Sequence, residues 1–588
     1  MPLVDRAPHS LPRSSMRLFS AQGLLCAFIV GVCLFAPWPI AEIGINDDWS
    51  YIRTAQVFAE TGRFVYNGWA AAMLGWQVLW GALFAKVFCT SFICIRLSMV
   101  PLALACVLVY RAVLRRFGLN QEHATFGALC LALSPLFIPL AVTFLSDIPG
   151  LLGIFVCIYL CQHAVSAKQA KHAMLWLAAA ALSNIALGTV RQIAWLGVLV
   201  IVPCCGWLLR RRGRLVVPLT VVFWLTGIVC IRLALAWFVH QPYSIPEKLL
   251  PGRISTDVIV NMLVEVIRAT LTVLLLGLPV WMTGAAAIWP PRKKHLLTVV
   301  LVMGLFVLTC GVLKHLGKTY LIVPPWLGNI VGSSGIMQSQ GLFGPTRRVP
   351  AGPKLLVLGI LLMTMTLFVA AWRTFRSLPR LESVDAQQIV SRRAMYVLLI
   401  PFLCAYCLLL LPRAGSIALF DRYLLEVMAV LLIFSLRWHQ EKVDGRVALL
   451  AKGTMAIYAA VTIAGTHDLF AMDRARVRLA EEVERSGIPR TAIRAGFEYD
   501  AITQVEAWGY YNDPRIETPP NAYRPQPTPE GPCDYTLQNF VPAVSPEYEV
   551  AADPSPCLGP GPFAPASYHT WLPLGTRWLF VGKVPKRH

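Results

Sequence analysis

The reading of this chain turns on one junction: the apolar run LFSAQGLLCAFIVGVCLFAPWPI at residues 18–40, followed by Gly44-Ile45-Asn46-Asp47-Asp48-Trp49-Ser50-Tyr51. A bilayer core about 30 Å thick is crossed by about 20 apolar residues in a helix, and the run is long enough. It is too long for a signal-peptide core and shows no small-x-small cleavage site, so it reads as an uncleaved first span. Arg6, Arg13 and Arg17 precede it, which places the tail, residues 1–17, in the cytoplasm. Asp47 and Asp48 then stand at the outer membrane boundary. The stretch after them reads as a short amphipathic helix that stops near Gly62.

Composition extends this reading to the whole chain. Of 588 residues 56% are hydrophobic and 14% charged, against roughly 25% charged in soluble proteins. That balance excludes a soluble enzyme, a disordered chain and a disulfide scaffold. Basic residues exceed acidic ones by 52 − 31 = 21. They fall in clusters between apolar runs (Arg115-Arg116, Arg210-Arg211-Arg212, Arg292-Lys293-Lys294, Arg392-Arg393). This is the pattern of the positive-inside rule. There is no basic stripe interleaved with stacking aromatics, so nucleic acid is not an expected partner. Most of the 16 cysteines sit in apolar runs as small hydrophobes. Cys533 and Cys557 lie in a polar region, where an oxidising compartment would allow them to pair.

Apolar runs at 93–110, 124–143, 148–164, 174–190, 193–209, 215–238, 269–289, 296–313, 355–372, 394–411, 424–438 and 447–463 bring the expected total to about thirteen spans. Residues 71–88 are also apolar, but a span there would turn every basic cluster outward. They read instead as a re-entrant or interfacial helix, with Trp69, Trp76 and Trp80 at headgroup level. The fold class expected is an all-α polytopic membrane domain, residues 18–463, whose outer loops 41–92 and 144–148 carry the chemistry. A small extracytoplasmic C-terminal domain, α/β or β-rich, follows at 464–588. Short strand-like pieces are expected in it at 495–499 and 577–581.

The chemistry-bearing candidates cluster at outer boundaries. Asn and Asp are favoured helix N-caps, which gives Asp47 and Asp48 a plain structural reading. So does Ser146-Asp147-Ile148-Pro149, a helix-start signature. Both acidic sites nevertheless fall on the same side at the membrane edge, where a carboxylate is costly and points to function. Arg191 is the one charge in a long apolar stretch. It either snorkels or holds a phosphate in its guanidinium fork. Arg422 and Tyr423, in Asp421-Arg422-Tyr423-Leu424-Leu425, read as an interfacial anchor or as a phosphate contact. Lys314, Lys318, Arg347 and Arg348 lie in a long outer loop, a candidate lid. His240 and His315 have no spaced partner that would make a metal site.

In order and topology these motifs, Asn46-Asp47-Asp48-Trp49-Ser50-Tyr51, Ser146-Asp147-Ile148-Pro149 and Asp421-Arg422-Tyr423-Leu424-Leu425, resemble the GT-C class of glycosyltransferases. The protein O-mannosyltransferase family (family 39) and the lipid A aminoarabinose transferases are the most similar groups. Family members often have Asp-Glu where this chain has Asp47-Asp48, and many carry a Pro-Pro segment in the re-entrant helix, where this chain reads Ala71-Ala72-Met73-Leu74-Gly75-Trp76-Gln77. The resemblance implies transfer of a hexose or pentose from a polyprenyl-phosphate donor to a glycan, lipid or protein acceptor at the outer face of a bacterial inner membrane. It implies inverting displacement with Asp47 as base and Asp48 supporting it, the adjacent like charges raising one carboxylate's proton affinity. Asp147 would position the acceptor. Arg191, Arg422 and Tyr423 would take the lipid phosphate. The one cofactor it leaves room for is a divalent cation, on Asp48 and Asp147. A lipid-linked sugar flippase, or a glycan polymerase or ligase, would use similar boundary charges. A transporter would also show mid-membrane charges and repeated halves, which are not found here.

Overall fold

A computed structural model describes residues 20–69, 71–246, 255–286, 326–332, 390–416, 419–443, 446–511, 541–554 and 557–585, with a few isolated positions between 297 and 342. Among them are eight helices long and apolar enough to cross a membrane. Seven are Phe92–Arg116, Asp147–Ser166, Ala170–Val190, Gln192–Leu209, Val216–Val239, Thr256–Leu276 and Arg392–Gly415. The eighth, Leu449–Arg485, has 37 residues, about 55 Å at 1.5 Å per residue. That is long enough to cross a 30 Å core and continue well past it. The first run forms a shorter apolar helix, Ala21–Phe35, whose N-cap Ser20 accepts from the Gly23 N–H.

Several expected spans differ from the folded elements. Residues 124–143 are not one span but two helices, Gln121–Ala132 and Phe137–Ala141. Pro135 lies between them, and a proline disfavours helix at the residue before it and removes a backbone donor. The segment is buried on nearly every face, so its broken backbone meets protein rather than lipid. The span expected at 269–289 starts earlier, at Thr256, and breaks at Gly277 before the helix Leu278–Ala286. The expected spans at 296–313 and 355–372, the basic residues Lys314, Lys318, Arg347 and Arg348, and Cys533 lie outside the described residues.

The bundle has two chemically distinct ends. At one end Arg116 donates to Gln162 O and Ser166 Oγ, Arg212 to Ala167 O and Val165 O, Arg437 to Gly118 O, and Arg392 pairs with Glu441 at 2.6 Å. The clusters at Arg115-Arg116, Arg210-Arg211-Arg212 and Arg392-Arg393 thus lie at one end, while Arg292-Lys293-Lys294 falls outside the described residues. At the other end lie Asp47, Asp147, Arg191 and Arg422, together with a disulfide between Cys89 and Cys94.

The helix after the acidic pair, Asp48–Thr61, ends at Gly62 in the left-handed region (φ 69°), as its sequence indicates. The next helix, Gly75–Val87, has 13 residues, about 20 Å, too short to span. It docks inward. Trp76 Nε1 donates to Leu187 O (3.0 Å), Gln77 Nε2 to Phe144 O (3.1 Å), and Leu74 N to Val190 O (3.1 Å). The three tryptophans expected at headgroup level donate their indole N–H groups within the protein: Trp69 to Asp47, Trp76 to Leu187 O, Trp80 to Ser98 O.

The long helix Leu449–Arg485 carries the chain into the C-terminal region, so position 464 falls inside one continuous helix. Five short strands follow: β1 (Ile493–Arg494), β2 (Tyr548–Ala551), β3 (Gly559–Pro560), β4 (Ala566–Trp571) and β5 (Leu574–Lys583). They order as β1-β2-β5-β3, with β4 also on β5. The piece at 577–581 is strand, within β5. The piece at 495–499 is not. Gly496 (φ 93°) turns the chain, and Phe497–Trp508 is a helix. Phe497, Ala501, Ile502 and Val505 are buried at helical spacing.

Backbone and side chains are closely fitted where the first outer loop enters its helix. A Cβ on Gly44 would lie 2.3 Å from the Trp49 Cβ, whereas one on Gly31 meets nothing within 4 Å. Gly44→Ala is expected to destabilise the protein by about 1–3 kcal/mol. Gly31→Ala should be neutral, both read as detergent melting temperatures. Equal melting of the two variants would contradict this packing.

Candidate active site

Asp47 and Asp48 are adjacent in sequence but serve different environments, because successive residues entering a helix point in different directions. Asp48 is fully buried. Arg96 Nε donates to its Oδ2 at 2.7 Å and Nη2 to its Oδ1 at 3.0 Å. The N–H groups of Ile45 (2.7 Å) and Phe144 (3.3 Å) complete the set. Arg96 also donates to the carbonyls of Ala41 and Ile43. Both oxygens of Asp48 are therefore committed to holding the first outer loop against the second. The two carboxylates do not share a site, contrary to the expectation of a coupled acidic pair.

Asp47 turns the other way. Its Oδ2 accepts from Arg422 Nη2 at 2.7 Å and its Oδ1 from Trp69 Nε1 at 2.9 Å. Its own N–H is capped by Asn46 Oδ1 at 2.9 Å. Its side chain is 17% exposed, against 0% for Asp48, 3% for Asp147 and 2% for Glu426. Asp47 is thus the acid of this cluster that an incoming molecule can reach.

The second outer loop delivers Asp147 to the same place. Arg191 Nη1 contacts Asp147 Oδ1 at 2.5 Å and lies 3.7 Å from Glu426 Oε1. Arg422 Nη1 lies 3.9 Å from Asp147 Oδ2. Tyr406 donates to Glu426 Oε2 at 2.8 Å and to Tyr423 O at 2.9 Å. Gly150 packs beside Arg191, and a Cβ there would meet its Cβ and Cδ at 3.6 Å, an ordinary contact. The Tyr423 ring is flanked by the guanidinium carbons of Arg191 and Arg413 at 4.9 Å and of Arg422 at 5.6 Å, the separations of cation–π contact. The phosphate candidates Arg191, Arg422 and Tyr423 are therefore brought together around Asp47 and Asp147.

Asp421 holds the turn that presents Arg422. Its carboxyl accepts from the N–H groups of Ile330 (3.0 Å), Val331 (2.7 Å) and Arg422 (2.8 Å). Burial pushes it up to about 6 against the pull of those donors and of the Arg422 charge. A carboxyl raised in the folded state favours folding below its unfolded value, about 3.9. That contribution is lost as pH rises through about 6. Asp421→Asn should remove this decline from the melting temperature between pH 4 and 7. An unchanged pH profile would place the charge elsewhere.

Beside the cluster an apolar cavity of about 900 Å³ runs along the helices Thr256–Leu276, Arg392–Ser416 and Leu425–Val443. Ala414, Leu419 and Leu424 line it, next in sequence to Arg413 and Tyr423, and it extends to Arg437 and Lys442 at the basic end. The sequence reading gives Glu426, Tyr406 and Arg413 no role in the site, and gives Trp69 only a headgroup-level one. Glu426 had a faint signal, one helical turn after Arg422. Arg413 and Tyr406 lie in a helix whose partners only the fold reveals. His240 is exposed, with Nδ1 2.7 Å from Ala236 O.

The residues named for a divalent cation do not fit one. Asp48 is saturated by Arg96 and two backbone donors, and Asp147 is held by Arg191. No group of three or more His, Cys, Asp or Glu able to hold a metal ion occurs among the described residues.

No protein-family model matches the chain, and no curated protein matches it. Solved structures do. Its structural neighbours are GT-C glycosyltransferases. One is ArnT from Cupriavidus metallidurans bound to undecaprenyl phosphate, at 15% identity over 80% of this chain and 82% of that one, TM-score 0.38. Another is the oligosaccharyltransferase AglB from Archaeoglobus fulgidus with an inhibitory peptide and a dolichol-phosphate, at 14% identity over 89% and 63%, TM-score 0.40. A third is the S. cerevisiae protein O-mannosyltransferase complex Pmt1-Pmt2 bound to the sugar donor, at 15% identity over 38% and 34%, TM-score 0.31. The chain thus spans about a third of the O-mannosyltransferase chain and under two thirds of AglB.

The two adjacent aspartates should separate experimentally. Asp48→Ala leaves Arg96 charged and buried without its partner, an expected cost of about 3–5 kcal/mol. Asp47→Asn keeps an acceptor for Trp69 and leaves Arg422 beside Asp147. In detergent melts Asp48→Ala should be the strongly destabilised variant and Asp47→Asn the mild one. The reverse order would exchange their assigned roles.

Proposed function

We propose that this chain is a membrane glycosyltransferase that moves a sugar from a polyprenyl-phosphate donor to an acceptor hydroxyl at the extracytoplasmic face. The observation that carries this reading is the placement of one reachable carboxylate, Asp47, in contact with a buried arginine that also faces Asp147, with a long apolar cavity lined by Ala414 and Leu424, the sequence neighbours of Arg413 and Tyr423. A prenyl chain is apolar and its phosphate anionic, so the cavity and the Arg191, Arg413 and Arg422 group offer each part its counterpart. The structural neighbours that carry polyprenyl phosphates support the same donor class.

In the proposed reaction the acceptor oxygen attacks the anomeric carbon as the bond from that carbon to the phosphate oxygen breaks. The electron pair leaves with the phosphate, and the acceptor proton passes to Asp47. Arg422 spans both halves of this event. In the resting site it is bonded to Asp47. A donor phosphate drawing Arg422 toward itself would free an Asp47 lone pair for the acceptor and steady the charge growing on the leaving group. Arg191, held between Asp147 and Glu426 over the Tyr423 ring, is a second fixed cation for that charge. Asp48 acts here by fixing the loop through Arg96. No step is assigned to a divalent cation, because the carboxylates available to it are already bound by arginine.

The orientation proposed puts the acid-bearing end outside and the N-terminus in the cytoplasm, as in a bacterial inner membrane. The basic clusters at the opposite end support this. So do the Cys89–Cys94 disulfide at the acid-bearing end and the disulfide-bonded Cys557, since disulfides persist in oxidising compartments. The acceptor proposed is a glycan, lipid or protein hydroxyl.

The test is transfer of label from radiolabelled polyprenyl-phosphate sugars to a membrane extract by purified protein in detergent. Wild type should transfer, and Asp47→Asn should be slower by at least about 10²-fold, the usual worth of a positioned base. Equal rates would remove Asp47 from the chemistry. Donor crossing the bilayer of reconstituted vesicles without covalent transfer would identify a flippase instead.

A further inference from the structure

We propose that Glu498, in the C-terminal region, is a positioning residue for Asp47, so that the site is complete only with that region docked. The proposal rests on the reading of Asp47 as the base.

The backbone at Asn46 adopts a left-handed conformation (φ 54°), which asparagine tolerates better than other non-glycine residues but which still competes with its extended alternatives. Three contacts hold it there. The Asn46 N–H donates to Glu498 Oε1 at 3.2 Å, its Oδ1 accepts the Asp47 N–H at 2.9 Å, and its Nδ2 reaches Asn329 Oδ1 at 3.4 Å. The first comes from a residue 452 positions away. Glu498 is itself fixed. Its Oε2 accepts from Arg476 Nη1 at 3.1 Å, and Arg476, 1% exposed, also pairs with Asp473 at 3.3 Å. Arg476 and Asp473 stand on the long helix Leu449–Arg485, so the anchor is rigid.

A second link runs beside it. Phe497, the neighbour of Glu498, packs against Trp69 with ring centroids 5.0 Å apart, and Trp69 donates to Asp47 Oδ1. The Tyr511 N–H donates to Asn67 O at 2.6 Å. The helix Phe497–Trp508 therefore fixes both the backbone before Asp47 and one of its carboxylate oxygens. With Glu498 unable to accept, Asn46 is free to leave its left-handed conformation, and the Asp47 carboxylate swings with it. Displacements of about 1 Å in such a group cost on the order of 10²-fold in rate.

The experiment compares Glu498→Ala, Glu498→Asp and Glu498→Gln in the full chain. Gln keeps an acceptor for the Asn46 N–H but turns its NH2 toward Arg476, which retains Asp473 as its partner. Asp keeps a charge for Arg476 but is one methylene too short to hold both partners, so it provides a folded test where the Ala variant does not fold. Two readouts are taken: donor kinetics, and hydrogen–deuterium exchange of peptides covering residues 41–52. Ala and Asp should lower kcat by about tenfold to a hundredfold with donor KM nearly unchanged, and speed exchange at 43–50. Gln should recover most of both. Unchanged exchange in Ala and Asp would overturn the latch. Faster exchange with unchanged kcat, or a loss confined to KM, would overturn its role in positioning Asp47. If Asp47→Asn transfers as fast as wild type, the reading of Asp47 as base fails and the positioning role falls with it, while the exchange result still decides whether the latch exists.

Discussion

A charged side chain cannot be buried at the edge of hydrocarbon without a partner, and the acid-bearing end of this bundle is organised by that constraint. Arg96 binds Asp48, Arg422 binds Asp47, and Arg191 binds Asp147 and approaches Glu426. Each of these pairs joins elements far apart in the chain, so satisfying the charges is the same act as assembling the loops. Removing one member of a buried pair strands the other, which makes the arrangement stiff. Only Asp47 among these acids keeps appreciable contact with its surroundings, and the site derives its direction from that asymmetry.

The same constraint gives two consecutive residues different surroundings. Asp48 has four donors on two oxygens and no surface. It keeps the loop where the short helix Gly75–Val87 and the second outer loop need it. Asp47 has one indole and one guanidinium, and its guanidinium partner also faces Asp147. An arginine placed between two carboxylates can exchange one contact for a phosphate without being left unpaired. Ala414 and Leu424, the sequence neighbours of Arg413 and Tyr423, are among the lining of the apolar cavity.

Much of this was legible in the sequence because membrane topology has strong one-dimensional signals. Apolar length marked the eight long apolar helices among the described residues, though not the expected total of about thirteen, and clustered arginines marked one end of the bundle. The order of Asp47, Asp147, Arg191 and Arg422 along the chain put all four at the opposite end. The failures have equally local causes. Pro135 divided an apolar run that composition alone reads as continuous. Gly496 and the spacing of Phe497, Ala501, Ile502 and Val505 favoured a helix where a short apolar–polar alternation suggested a strand.

The sequence by itself determined that the chain is built of apolar helices, which end carries the acids, and which few residue types stand there, since hydrophobic length and charge placement are properties of neighbours in the chain. The tertiary structure decided which acid pairs with which arginine, that Asp47 rather than Asp48 stays reachable, and that Glu498 meets Asn46 across 452 positions. Those outcomes depend on side-chain direction at a helix start and on contacts between distant segments. Neither is encoded in local periodicity, because two adjacent aspartates look alike until the fold supplies each with a different partner.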